Sequence, residues 1–368
     1  MQDERIYWVG FNLIKGIGTV RTRKLIDFFG HLSLAWGAPA EALKQAGLPE
    51  KSIELVIQKR KSVDLNAVWD SINNKGIKIL TWLDEPYPKR LKEIDQPPPV
   101  IYYRGLILPQ DEWAVSIVGT RRVTVYGRQI TQDTALYLAG NGITIVSGLA
   151  RGVDAIAHQA ALDANGRTIG VLGCGVDIIY PPEHRKLADA IIEHGALISD
   201  YPPGTQPDGV NFPPRNRIIA GLSRATIVIE AGETSGALIT AKFSAEQGRD
   251  VFAVPGSILS PMSKGTNNLI QNGAFPMTNP QSVLEVLNYS QVTEHQAARQ
   301  ELPSDPLEAR ILKALGYEPI HVDELGAQLG LPIAEITAAL TMMELKGMVQ
   351  QTGSMQYLVV REPQNPYH

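Results

Sequence analysis

The 368-residue sequence contains one cysteine, Cys174, which excludes an internal disulfide and a multi-cysteine metal site. It has no run of about 18 uncharged apolar residues, the length a membrane span requires, so no membrane partner is expected. Its first residues, Met1-Gln-Asp-Glu-Arg5, show neither the basic start nor the apolar stretch of a secretory signal, and a cytoplasmic protein is expected. A positive excess is also missing: 34 Lys and Arg face 38 Asp and Glu, a net charge of −4. Bulk charge therefore offers a polyanion no steering, and any nucleic-acid site has to be a local basic cluster. Two nucleotide fingerprints are absent as well. The chain has no Gly-x-x-x-x-Gly-Lys-Ser/Thr, and its first strand-end turn, Gly119-Thr-Arg-Arg122, places arginines where Gly-x-Gly-x-x-Gly needs small residues. The second candidate, Gly173-Cys-Gly-Val-Asp-Ile178, lacks the third glycine. No NAD, FAD or P-loop nucleotide is expected, and no other cofactor or metal.

What is present, between Trp113 and Leu287, is one device repeated: apolar strand, glycine-rich turn, amphipathic helix. The strands read Ala114–Val118, Ile143–Val146, Ile169–Leu172, Ala196–Ile198, Ala225–Ile229 and Val251–Val254. This pattern predicts an α/β core with a Rossmann-like, doubly wound, mostly parallel sheet over 105–288. In such a sheet the turns gather at the carboxyl edge, where backbone N–H groups and helix N-termini suit a phosphate. Before the core, 1–80 reads as a small helical domain, with Gly16-Ile-Gly18 entering a helix as in a helix-hairpin-helix and Arg21, Arg23 and Lys24 following it. A plain helix connection is the commoner use of such a turn, and DNA contact here is the lesser expectation. Residues 81–104 form a proline-rich connector that includes Pro97-Pro-Pro99 and a short strand at Val100–Tyr103. A polar linker spans 289–304, and three helices with a hairpin over 305–361 predict a winged helix.

The core turns carry the candidate site. Gly119 allows close backbone approach, Thr120 lies between it and Arg121, and Arg121 presents a planar fork suited to phosphate oxygens. Arg122 reads equally as a surface charge. In Ser147-Gly-Leu-Ala-Arg-Gly-Val-Asp154, Ser147 and the amide of Gly148 are placed to hold a second phosphate. Asp154 reads as a charge at a helix N-terminus and His158 as structural, since no nucleophile accompanies them. Asn211-Phe-Pro-Pro-Arg-Asn-Arg217 is the most informative stretch. It sets Phe212 rigidly in a surface loop before Arg215, Asn216 and Arg217 in a helix's first turn, where cations oppose the helix dipole. An exposed ring beside paired arginines suits single-stranded nucleic acid, the ring stacking a base and the guanidinium groups holding the backbone. The alternative has Phe212 as an apolar staple and Arg217 paired internally, for instance with Glu230. Ser235 and the Gly236 amide complete the set at another helix N-terminus.

These residues together resemble the DNA-processing protein A family (DprA, also called Smf). The resemblance is carried by Val118-Gly-Thr-Arg121, Val146–His158, Val171–Asp177, Asn211–Ser223, Ser235–Ala241 and Val254-Pro-Gly256, and covers about 100–290 densely. It implies a non-catalytic protein that binds and protects single-stranded DNA, helps load RecA recombinase in natural transformation, and forms a homodimer through the Rossmann-like core. Gly119, Arg121, Ser147, Gly148, Phe212, Arg215, Arg217, Ser235 and Gly236 would form its DNA pocket. Some members carry a lysine where this chain has Asp208-Gly-Val-Asn211, so binding here is expected to be weaker or to lean more on arginine. The winged helix is expected to contact protein or to regulate the core rather than read sequence, because its recognition helix carries Glu335 and Glu344 against Lys346. That acidity also argues against a regulator reading duplex operators. The same sheet type resembles the lysine-decarboxylase-like phosphoribohydrolases, the enzymatic alternative. Their Pro-Gly-Gly-x-Gly-Thr-x-x-Glu stretch supplies a catalytic glutamate, whereas here the equivalent segment ends on Ile239.

Overall fold

Apolar strands buried on both faces show no polar alternation, and that is how the middle of this chain reads. Every residue of β3 (Ala114–Val118), β4 (Thr144–Ser147), β5 (Thr168–Val171), β6 (Ala196–Ser199) and β7 (Ala225–Val228) is buried. The structure, a computed structural model, describes residues 3–288, 306–315, 320–345, 349–353 and 355–359. With β1 (Lys78–Thr81), β2 (Val100–Gly105), β8 (Asp250–Ala253) and β9 (Phe275–Pro276), these strands form a nine-stranded sheet of order β1-β2-β6-β5-β4-β3-β7-β8-β9. The run from β6 to β9 is parallel, while β1 and β2 add antiparallel strands at the β6 edge. The chain winds outward from β3 to β6, then returns to lay β7 on the other side of β3. The doubly wound expectation holds, and its switch point falls between β3 and β7. There Ser116 Oγ and Thr226 Oγ1 meet at 2.7 Å in the buried interior.

The expected boundaries at 80 and 104 are not breaks in packing, for residues 1–283 form one compact unit. The reason is apolar burial. Trp8, Phe11, Leu43 and Ile53 of the N-terminal helices share one cluster with Leu172, Val176, Ile191 and Leu197 of the α/β region. The Tyr102 hydroxyl of β2 donates to Asn12 Oδ1 at 2.9 Å. The proline run is held by its carbonyls: Thr19 Oγ1 donates to Pro97, and both Trp82 Nε1 and Tyr87 Oη donate to Pro98. At Gly16-Ile-Gly18, Ile17 is buried, Arg21 folds back onto the Gly16 carbonyl, and Arg23 lies 5.6 Å from the Trp82 ring centroid. Of the three cations following this turn, Lys24 and Arg23 are exposed, and Arg23 is already stacked within the fold.

Residues from Leu284 onward form a second unit. Helices Pro306–Ala314, Val322–Leu329 and Ile333–Leu345 precede the hairpin β11 (Val349–Gly353) and β12 (Gln356–Val359), to which β10 (Ile320–His321) adds a third strand. Ile311, Leu325, Ile336, Leu340 and Met343 pack in its centre. This is the expected winged helix with one unpredicted short strand. The expected linker at 289–304 lies outside the described residues. Among those described, no single helix is long and apolar enough to cross a membrane.

Candidate nucleic-acid interface

At the switch point the carboxyl ends of β3 and β7 are tied together, Thr120 N–H donating to the Glu230 carbonyl at 2.8 Å. The buried Glu230 carboxylate then accepts from the Thr124 N–H and hydroxyl, closing the Gly119–Thr124 loop against the sheet. Gly119 is a packing requirement, since a Cβ there would sit 2.6 Å from Val153 Cγ2. Gly152, at φ +79°, packs beneath the same loop; a Cβ on it would lie 2.4 Å from the Thr120 carbonyl oxygen. The loop is thereby fixed from two sides and presents Arg121 and Arg122 to solvent. Neither has a carboxylate within ion-pair distance among the described residues.

Above this edge opens a crevice of about 740 Å³, lined by Gly119, Thr120, Arg121, Phe212, Asn216, Ser235 and Gly236 among others. Eight of the sequence-predicted residues thus meet on one surface, Arg215 among them from its buried place in the wall. Phe212 is not in a loop: it is the first residue of the helix Phe212–Leu222, with Pro213 and Pro214 in the first turn where a missing N–H costs nothing. Its ring is half-buried, 5.9 Å from the Arg121 guanidinium carbon and 5.7 Å from the Tyr180 ring. Opposite stands the N-terminus of the helix Ala237–Glu246, where Ser235 Oγ accepts from the Ala237 N–H and Asn216 Nδ2 reaches the Gly236 carbonyl at 3.4 Å.

Four predicted residues sit differently. Ser147 is the last residue of β4, fully buried, and its hydroxyl donates to the Ile117 carbonyl, so it offers nothing to a phosphate in the crevice. The Gly148 N–H is taken by the Asp154 carboxylate, which also accepts from Ala150. Arg215 is 5% exposed and bonded to the Gly148 and Val171 carbonyls. Arg217 points away to Asp200, at 2.8 Å, rather than to Glu230, whose carboxylate is occupied by Thr124. His158 is fully buried and its ring Nδ1 bonds Thr168 Oγ1, which agrees with a structural role. Burial holds the Asp154 carboxyl above its ordinary range, with the Arg215 charge pulling the other way.

Sequence reading missed Tyr180 and Arg151. Tyr180 stands immediately before Pro181-Pro182, the same aromatic-plus-diproline cue that marked Phe212, and it lines the crevice. Arg151 is exposed beside it and pairs with Glu183.

The model of the family "DNA recombination-mediator protein A" matches residues 78–288, and that of the "DprA winged helix domain" matches 295–354. The chain belongs to the DprA/Smf family. Protein Smf of Synechocystis is 37% identical over 392 residues, covering 96% of this chain and 98% of its own. The X-ray structure of DprA from Streptococcus pneumoniae superposes with a TM-score of 0.68 at 34% identity, over 76% of this chain and 97% of that one. DprA from Helicobacter pylori, whose structure concerns its single-stranded DNA binding mode, gives a TM-score of 0.53 at 32% identity, over 59% of this chain and 98% of that one. The DprA/Smf match covers both the crevice-bearing sheet and the winged unit.

Proposed function

We propose that this protein binds single-stranded DNA in the switch-point crevice, without turnover. The observation that carries the reading is the unpaired, exposed Arg121 beside the half-buried Phe212 ring, at the mouth of a crevice whose far wall is a helix N-terminus. The guanidinium and the Gly236 amide at the helix N-terminus suit phosphate, and the ring suits a base. The Helicobacter pylori relative, described as binding single-stranded DNA, supports it. A non-catalytic role is supported by the state of Asp154 and His158, both buried and bonded inward. Family membership supports the wider role: protecting strands in the cytoplasm, loading RecA recombinase and dimerising through the Rossmann-like core.

Fluorescence anisotropy of labelled oligonucleotides over a salt series tests this. Single strand is preferred to duplex, with a log–log salt slope of about −2 to −4 for a few phosphate contacts. Arg121→Ala weakens binding about tenfold and makes the slope shallower by about 0.7, one phosphate fewer. No single-strand binding at low salt sinks the reading and makes nucleotide hydrolysis the next assay.

The winged helix is proposed to contact protein. Its Ile333–Leu345 helix exposes Ile333 and Met342 and carries Glu335 and Glu344, a poor surface for phosphates. A chain ending at Ser290 retains single-strand affinity within about threefold, because 1–283 is a compact unit. Loss of nearly all affinity in that truncate refutes the assignment.

A further inference from the structure

Arg215 is the most deeply buried cation facing the crevice, and its donors are largely spent. Nη1 serves two carbonyls, Gly148 at the end of β4 and Val171 at the end of β5, and Nε donates to Asn216 Oδ1 at 3.2 Å. Three of the five guanidinium N–H groups therefore bond inside the protein. The space around the group is equally restricted. A Cβ on Gly148 would fall 2.7 Å from Arg215 Nη2 and 2.8 Å from Asp154 Oδ2, so a side chain there would have to displace one of these groups. Asp154 supplies the largest opposing charge on Arg215, which a fully buried cation needs.

Arg215 also lies three residues along the helix from Phe212, one turn away, and its guanidinium carbon is 5.8 Å from the Phe212 ring centroid. The other side of the aromatic's seat is tight as well: a Cβ on Gly173 would sit 2.7 Å from Phe212 Cδ1. The two carbonyls that Arg215 grips end the strands on which the ring's surroundings are built. Moving the guanidinium releases the first turn of the helix, and with it the ring.

We propose that Arg215 is a positioning residue that holds the Phe212 ring in place for base stacking and makes no contact with the strand. The inference rests on the reading of the crevice as a single-strand site. Two kinds of arginine then serve one site: Arg121 meets the phosphate, and Arg215 sets the ring.

The salt series separates the two roles. Arg215→Lys, which keeps the charge but loses the fork, weakens single-strand binding by about 5- to 100-fold, the range of a lost base stack. Its salt slope stays that of the wild type, whereas Arg121→Ala loses about 0.7. The pair Asp154→Asn with Arg215→Met removes both buried charges together and guards against misfolding of the single variant. In a Phe212→Ala background either change costs no more than twofold, because the ring through which Arg215 acts is gone. A slope reduced by about 0.7 in the Asp154→Asn, Arg215→Met pair, which removes the cation that Arg215→Lys keeps, or an equal loss with and without Phe212, overturns the proposal in favour of a direct phosphate contact or a general fold effect. If Arg121→Ala and Phe212→Ala both leave binding unchanged, the crevice reading itself has failed.

Discussion

Gly152→Ala destabilises the protein by about 2 kcal/mol or more, the sum of two independent costs. The first is backbone conformation. Gly152 sits at φ +79°, ψ −127°, a region that residues with a Cβ occupy only under strain of order 1–3 kcal/mol. The second is space. The added Cβ meets the Thr120 carbonyl oxygen at 2.4 Å and the Arg121 carbonyl carbon and Cα at 2.9 Å. All three are backbone atoms that no rotamer change can withdraw, and overpacking of this kind costs about 1–3 kcal/mol. Thermal melting of the variant falls by roughly 5–10 °C. Because the displaced atoms belong to Thr120 and Arg121, single-strand affinity drops even at temperatures where the variant is fully folded. Gly236→Ala is the control: it has φ −60° and open space around the site, so its cost stays within roughly 1 kcal/mol. Equal melting of Gly152→Ala and wild type contradicts this account.

Acid weakens the fold through His158. Thr168 Oγ1 donates its one hydrogen to the Ile145 carbonyl, so it can only accept from His158 Nδ1, which leaves Nε2 with the lone pair. That Nε2 is buried with no partner among the described residues, and a proton placed there has nothing to bond. Burial first, then the charges of His184 and Arg215, push the imidazole down to about 3 from an ordinary value of 6.5. The folded state therefore refuses a proton that the unfolded chain accepts below about pH 6.5. Stability is full above that pH and is lost as pH falls toward about 3, by up to about 1.4 kcal/mol per unit. Asp154, whose carboxyl is raised, works in the opposite direction, so His158 has to be isolated by difference. Urea midpoints from pH 7 to pH 4 fall more steeply for wild type than for His158→Gln, by up to one proton's worth. Parallel pH profiles contradict the assignment.

The parallel core was legible because its strands are mostly apolar runs and nearly all lead into a turn that contains glycine. All six predicted core strands are found, with ends shifted by no more than one residue, and the connector strand predicted at Val100–Tyr103 runs on to Gly105. β1 and β9 were hidden for different reasons. β1 is four residues long beside a proline-rich stretch that masks its pairing, and β9 is two residues with a proline. The candidate crevice was legible where backbone geometry decided its lining, at Gly119, Arg121, Ser235 and Gly236. It was not legible where one residue of register decides between crevice and core. Ser147 closes β4 rather than opening the turn, which turns its hydroxyl inward. Arg215 and Arg217 both read as crevice cations because nothing in the local pattern shows Val171 or Asp200 waiting for them. Those partners are distant in sequence and meet the helix only in the finished sheet.

The antiparallel pairing of β2 with β6 also governs when this protein can fold during synthesis. Tyr102 pairs with Ser199, roughly a hundred residues later, and contacts that distant form slowly. Until β6 leaves the ribosome, β2 has one unsatisfied edge, and Trp8, Phe11 and Ile53 lack the faces of Leu172, Ile191 and Leu197 that cover them in the finished fold. Until then the first half of the nascent chain exposes an unpaired strand edge and apolar faces, the features that make incomplete chains prone to aggregate. A terminal fragment stopping short of β6 is expected to be insoluble for the same reason.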